Sequence, residues 1–399
     1  MPITLGWMDR LAAQSRRIAL VHDFLVDMRG AERVFLAMCD MWPHADVFST
    51  IYDEAGTEGR FAGREVHTSF LQKMKPTART FRALLPLYPA AIESFDFSGY
   101  DLVVSSSSAW AHALICDEAT VHVCYCHNPF RYAWSERDAT LAARNDPFSR
   151  AALRSIFRRW RQWDWIAAQR VDRYLANSHM TQARIRAYFG RDSTVVYPSV
   201  ETRRFAPGDV SDYYMVLSEL MPHKRIDVAI RAFNKLKQPL VIVGDGPDRR
   251  QLQQLAGPTI SFAGRVSDSR VAQLLRGARA LIVPAVEEFG IAAVEAQAAG
   301  RPVISARGGQ QESVLDGITG VFFEGEEDEL IKVVTAFDDS AVDPAECVAN
   351  ALRFDTAVFR ERLPYEIARA VEDSERTPRE ELRVMSRRRR RARPHVSAD

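Results

Sequence analysis

The segment that decides the fold runs Ala280-Leu281-Ile282-Val283-Pro284-Ala285-Val286-Glu287-Glu288-Phe289-Gly290-Ile291-Ala292-Ala293-Val294-Glu295, and it closes on Gly300-Arg301-Pro302. Ala280 to Val283 is a short apolar run of strand length, and a helix-length stretch follows it. Gly300 stops that helix, and Pro302 to Ser305 reads as the next strand. Strand, helix and strand in this order imply a βαβ unit and a parallel sheet. The same alternation extends in both directions. On the N-terminal side, Tyr213 to Ser218, Leu240 to Val243 and Ile260 to Ala263 read as strands. Ile226 to Leu236 reads as a helix with Ile226, Ala229, Ile230 and Phe233 on one face.

A similar set occupies the first half of the chain. Arg17 to Asp23, Asp101 to Val104, Thr120 to Cys126 and Val171 to Ala176 read as strands. Helices are expected from Gly30, over Ala151 to Gln169 and over Thr181 to Tyr188. The fold class is therefore α/β, with two Rossmann-like doubly wound domains expected over residues 17–205 and 206–350 and a cleft between them. Pro198 to Gly208 reads as the linker. A C-terminal helix over 351–372 and a polar, Arg-rich tail over 373–399, expected to be disordered, complete the chain.

The 399 residues are 47% hydrophobic and 26% charged, with a net charge of +1. This is globular composition without a whole-chain bias toward nucleic acid, and no nucleic-acid partner is expected. Five cysteines in a chain this long do not form a disulfide framework, which favours a reducing compartment. Neither a signal-peptide core nor an apolar stretch of membrane-spanning length is present. A cytoplasmic location is expected.

Ligands of open parallel sheets bind beyond the C-terminal ends of the strands, so the loops there hold the candidates. Glu287 stands in a loop before a helix, and Glu295 lies about one turn inside that helix. Gly290 allows close backbone approach, and free helix-start amides favour an anion. Carboxylates that take hydroxyl hydrogens beside amides that take phosphate oxygens suit a sugar phosphate. Solvated surface glutamates are the competing reading. Lys224 and Arg225 follow the strand ending at Ser218, at the start of an amphipathic helix. They are placed to hold a diphosphate, or else are two solvated loop charges.

The stretch Tyr125-Cys126-His127-Asn128-Pro129-Phe130-Arg131-Tyr132-Ala133-Trp134 mixes a histidine, an amide, a cation and four aromatics at a strand end. A carbohydrate site fits it, and so does a packed loop. Cys124, Cys126 and His127 do not make a metal site, because no second Cys or His pair has ligand spacing. Weaker signals are the turn Asp27, Arg29 and Gly30, the run Ser105 to Ser108, Gly264-Arg265-Val266, and Gly308 to Glu312. The serines line a cleft or cap a helix. Val266 is a candidate backbone contact to a base, and Gly308 to Glu312 is at least a connection. A dinucleotide oxidoreductase is disfavoured, since no G-x-G-x-x-G follows a strand.

Together these motifs resemble glycosyltransferase family 4, retaining enzymes of the GT-B fold, from about Arg17 to Phe359. The resemblance rests on Asp23 to Arg33, His127, Lys224-Arg225, Gly244-Asp245-Gly246-Pro247 and Glu287-x7-Glu295. Residues 125–134 and 222–236 look like the bacterial branch that builds polysaccharides, where mannosyltransferases are common. The resemblance implies that Lys224 binds the donor diphosphate and that Glu295 holds the ribose. It implies that Glu287, with the backbone of Phe289, Gly290 and Ile291, holds the donor sugar, and that His127 meets the sugar from the first domain. Gly30 and Val266 join the substrate-binding candidates. No cofactor or metal is implied. GDP-mannose is the leading donor and UDP-sugars the alternative, with a glycan or lipid-linked saccharide as acceptor. The Arg387 to Arg391 run is a candidate contact to anionic membrane or an inert tail. One departure is Glu219, where many members carry Arg, so Arg225 is the candidate replacement. A nucleotide-sugar epimerase or hydrolase, or a non-catalytic binder, is the alternative function.

Overall fold

The structure, a computed structural model, describes residues 17–78 and 80–375. Among these, residues 17–197 with 360–375 form one compact unit, and Pro198–Phe359 forms a second. The division falls at the first residue of the expected linker.

In the first unit seven strands form one sheet: β1 (Ile18–His22), β2 (Asp46–Ser49), β3 (Val66–Thr68), β4 (Leu102–Ser107), β5 (Val121–Cys126), β6 (Arg173–Ala176) and β7 (Ser193–Val195). Their order is β3-β2-β1-β4-β5-β6-β7, and every pairing is parallel. β4 and β5 are buried along their whole length, which is why they read as continuous runs rather than alternating ones. The register pairs Ser105 with Cys124, Ser106 with Tyr125 and Ser107 with Cys126. Ser106 also faces His22 across β1.

The long helix of this unit spans Pro147–Ala168, four residues earlier than the sequence pattern suggests. Its start is set by Asp146, whose carboxylate accepts from Ser149 N at 2.6 Å, with Pro147 in the first turn. The helix His179–Phe189 is capped by Ser178 Oγ, which accepts from Thr181 N, and ends on Gly190 in the left-handed region.

The second unit repeats the design with six strands: β8 (Tyr214–Leu217), β9 (Leu240–Val243), β10 (Ile260–Gly264), β11 (Leu281–Val283), β12 (Val303–Ala306) and β13 (Gly320–Phe323). The order β10-β9-β8-β11-β12-β13 is again parallel throughout. The helix Ile226–Leu236 turns Ile226, Ala229, Ile230 and Phe233 inward against β8 and β9, as its periodicity predicts. Burial of Ile226, Ile230 and Phe233 contributes about 1.5–3 kcal/mol of transfer free energy each, and that of Ala229 less. The last helix, Thr356–Glu375, leaves the second unit after Phe359 and belongs to the first from Arg360 on.

Candidate functional site

The two central strands of the second sheet are β8 and β11. From β8 the chain builds outward through β9 and β10, and from β11 it builds the other way through β12 and β13. Crossovers leave these two strands in opposite directions, which opens a crevice above their C-terminal ends. Ser218 to Arg225 leaves β8 there, and Pro284 to Gly290 leaves β11 there. Ser218, Lys224, Pro284, Ala285, Glu287 and Gly290 line the resulting hollow. At its mouth Lys224 Nζ lies 2.8 Å from Glu287 Oε1, and each side chain is 20% exposed. Two residues 63 positions apart in sequence thus meet as a charge-assisted pair.

Backbone contacts fix both loops. Leu220 N donates to Asp245 O at 2.9 Å, and Asp248 N donates to Leu220 O at 3.1 Å. Gly244 has φ +130°, and a Cβ there would stand 1.9 Å from Ser218 O. The Gly244 to Pro247 turn therefore holds the loop that carries Lys224. The Glu287 loop is braced from β12. Gln310 Nε2 donates to Ala285 O at 2.7 Å, and Ser313 Oγ donates to Phe289 O at 2.9 Å. Gly309 passes so close that a Cβ would lie 2.2 Å from Glu288 O and 2.3 Å from Glu287 O. Gly308 to Glu312 is a brace as well as a connection.

The other candidates of this unit lie on the same edge of the sheet. Gly290, at φ +85°, precedes the helix Ile291–Ala298, and Ile291 is its first residue. Glu295 is half-buried one turn in. The Phe289 ring is buried against Phe354 at 5.1 Å between centroids, which leaves its backbone as the part a ligand can use. Arg225 adopts φ +49° ahead of its helix, and its guanidinium reaches Glu326 at 3.4 Å. Val266 follows β10, two strands from β8, and is half-buried. Glu219 is half-buried in the loop after β8.

In the first unit Gly30 is the first residue of the helix Gly30–Met41. His127 follows β5 and is 9% exposed. Its backbone is fixed by N–H donation to Ser107 O at 2.8 Å and by acceptance from Thr181 Oγ1 at 3.0 Å. The serine run has a role that neither sequence reading covers. Ser105 Oγ lies 2.8 Å from His122 Nε2, Ser106 Oγ 2.9 Å from His127 Nε2, and Ser107 Oγ 3.3 Å from His112 Nδ1. Burial, with His112 nearby, pushes the His122 imidazole down to about 3. His112 Nε2 lies 3.1 Å from Asp164 Oδ1, and Trp134 Nε1 donates to Asp164 Oδ2 at 2.6 Å. Ser108 N joins the amides of Ala109, Trp110 and Ala111 in donating to the buried carboxylate of Asp23, at 2.6–3.0 Å.

Burial raises the thiols of Cys124 and Cys126 well above the ordinary cysteine value. Among the described residues no group of three His, Cys, Asp or Glu is arranged to hold a metal ion. No described helix is long and apolar enough to cross a membrane. Arg387 to Arg391 lies outside the described residues.

Residues 28–204 match the family described as Glycosyltransferase Family 4, and residues 212–337 match Glycosyl transferases group 1. Two glycosyltransferase family models thus match separate stretches of the chain. D-inositol 3-phosphate glycosyltransferase of Mycobacterium bovis is 32% identical, in an alignment covering 39% of this chain and 38% of that protein. The matched part thus spans under two fifths of that curated relative. Among solved structures, HepE from Anabaena in complex with UDP-glucose superposes with a TM-score of 0.65 at 19% identity, covering 89% of this chain and 99% of that one. WaaG, a glycosyltransferase involved in lipopolysaccharide biosynthesis, gives 0.60 at 16% identity, covering 89% and 99%. These structures share the GT-B fold with this chain.

Proposed function

We propose that this glycosyltransferase transfers a hexose, with retention of anomeric configuration, from a nucleoside diphosphate sugar to a saccharide or lipid-linked acceptor. The observation that carries the reading is the Lys224–Glu287 pair above the central strands of the second sheet. It joins a cation suited to a diphosphate to a carboxylate suited to sugar hydroxyls, at the place where doubly wound sheets bind nucleotides. In this reading Lys224 turns to the diphosphate when donor binds, which frees the Glu287 oxygens to accept from the sugar. The helix start at Gly290 and Ile291 offers amides to the phosphates. Glu295 takes the ribose hydroxyls, the Val266 backbone meets the base, and Arg225 supplies the charge that Glu219 does not. Charge developing on the leaving diphosphate is met by these cations and amides, already in place before reaction. His127 and Gly30 serve the same reaction from the first domain.

GDP-mannose is the proposed donor, on the likeness of residues 125–134 and 222–236 to the polysaccharide-building branch. UDP-glucose is the second, because the HepE structure holds it. Peripheral contact with anionic membrane through Arg387 to Arg391, on the cytoplasmic side, belongs to the same proposal. A thermal-shift screen against GDP-mannose, UDP-glucose and related sugars, followed by product analysis with labelled donor, tests the reading. Stabilisation and sugar transfer to an acceptor support it. Failure of every donor to bind or turn over sinks it, and interconversion of the sugar without transfer makes the chain an epimerase.

A further inference from the structure

The hydrogen bonds at His127 do not end at Ser106. The same hydroxyl lies 3.1 Å from His22 Nδ1, and the far nitrogen of that ring, Nε2, faces Glu32 Oε1 at 3.9 Å. At that distance the carboxylate acts on the ring through its charge rather than through a hydrogen bond. Glu32 is itself fixed: its other oxygen accepts from Arg29 N at 3.2 Å, and Arg29 Nε lies 3.8 Å from Oε1. His22, Glu32 and Ser106 are essentially inaccessible to solvent. The His22 ring stacks on Phe35 at 4.9 Å, and the His127 ring meets Tyr125 edge-on at 5.1 Å. Packing therefore holds both rings where the hydroxyl finds them.

A serine hydroxyl has one proton and sits here between two ring nitrogens. It donates to one, so the other ring must donate to it. Glu32 breaks the tie. A carboxylate beside His22 Nε2 favours a hydrogen on that nitrogen. His22 Nδ1 is then the bare acceptor, and the Ser106 hydroxyl turns toward it. Ser106 Oγ is left to accept, so the hydrogen of the second pair sits on His127 Nε2. The choice made at Glu32 is handed through two hydrogen bonds to the His127 ring.

We propose that Glu32, His22 and Ser106 are positioning residues that fix His127 as its Nε2–H tautomer, with Nδ1 left as the acceptor nitrogen. All four residues lie in the first domain, so the relay stands without any assumption about the donor. Its use in sugar transfer rests on the function proposed above. Which ring nitrogen carries the proton decides whether a histidine offers a donor or an acceptor to what it meets.

The test uses the full chain labelled with ring-15N histidine. The His127 resonances are assigned by their disappearance in His127→Gln, and the tautomer is read from the long-range couplings of the two nitrogens. The wild type should show a single Nε2–H ring. Ser106→Ala breaks the link, and Glu32→Gln removes the charge while keeping the shape. Either should turn His127 into a mixture of tautomers. Each should also lower kcat by roughly tenfold or more, the range seen when a partner that orients a functional ring is removed. The donor KM should stay within about twofold, whereas a change that was merely structural would not move the ring spectrum selectively. Should Glu32→Gln fail to fold, Ser106→Ala decides alone. A wild-type His127 carrying its proton on Nδ1, or an unaltered ring spectrum in Ser106→Ala, overturns the relay. If wild-type protein turns over no nucleotide sugar, the function reading fails while the ring spectra still decide the relay.

Discussion

Replacing Gly309 by alanine should damage the proposed donor site without substituting any residue proposed to contact a ligand. The Cβ of such an alanine would lie 2.2 Å from the carbonyl oxygen of Glu288 and 2.3 Å from that of Glu287. That is 0.8 Å short of the 3.0 Å that real Cβ atoms respect, and 1.2 Å short of ordinary contact at 3.4 Å. The opposing atoms are backbone, so no side chain can swing away. The loop from Ala285 to Phe289 must move by about an ångström, and it carries Glu287. A misplacement of that size costs on the order of 10²-fold in rate, which is about 2.7 kcal/mol of transition-state stabilisation. Overpacking should add a stability loss of about 1–3 kcal/mol, or roughly 2–4 °C of melting temperature per kcal/mol for a domain of this size. The assay is kcat/KM for the donor beside a thermal melt. Gly317→Ala is the control. It has φ +75° with nothing within 4 Å of its Cβ, so it strains the backbone without pushing on any neighbour. It should lose about 1 kcal/mol of stability and keep its kcat/KM. Wild-type kcat/KM in Gly309→Ala would refute the brace.

Three further outcomes are expected. If the proposed roles hold, Lys224→Ala and Glu295→Ala should each lower kcat/KM by about 10²-fold or more while the melting temperature stays near wild type, because the proposed charged contact to substrate is lost. Unchanged turnover in either would remove that residue from the site. Asp23→Ala strands the amides of Ser108, Ala109, Trp110 and Ala111 in the interior, and should cost about 3 kcal/mol or more in a denaturant melt. For Glu32, burial would raise the carboxyl, but Arg29, then His22 and the local backbone, hold it down to about 2 from an ordinary 4.5. A depressed carboxyl stabilises the fold above its unfolded pKa and loses that contribution as pH falls through the folded one. Wild-type protein should therefore lose roughly 3 kcal/mol between about pH 4.5 and 2. Glu32→Gln should flatten that part of the stability profile, and an acid limb of unchanged slope would contradict the depression.

The sequence shows the second domain more fully than the first. Lys224 and Glu287 each sit just past a clear apolar strand, so local pattern alone assigns them to the C-terminal edge of the sheet. Their approach to 2.8 Å depends on β8 and β11 being neighbours, which follows from the doubly wound order. Gly309 is different. Its requirement comes from carbonyls some twenty residues away, and a glycine pair after a strand looks the same whether it braces a loop or only turns the chain. The serine run is harder still. Three successive serines find three histidines, at positions 122, 127 and 112, through the parallel register of β4 and β5 and the turn after β4. Pairing register leaves no trace in composition or period. Asp23 reads only as the end of the first strand, and its amide partners lie 85–88 residues on. Short strands such as β2, β3 and β7 are too brief for periodicity to separate them from loops.

The path of the final helix bears on how the protein is made. Residues 360–375 belong to the unit that begins the chain. Leu363, Ile367 and Val371 are buried, and Arg360 and Asp373 approach Asp40 and Arg173 of that unit. During synthesis the first seven strands emerge long before their last helix does. The first domain then waits, with the apolar surface for that helix uncovered, while all of the second is translated. The later domain, continuous from Pro198 to Phe359, is therefore the first whose residues are all translated.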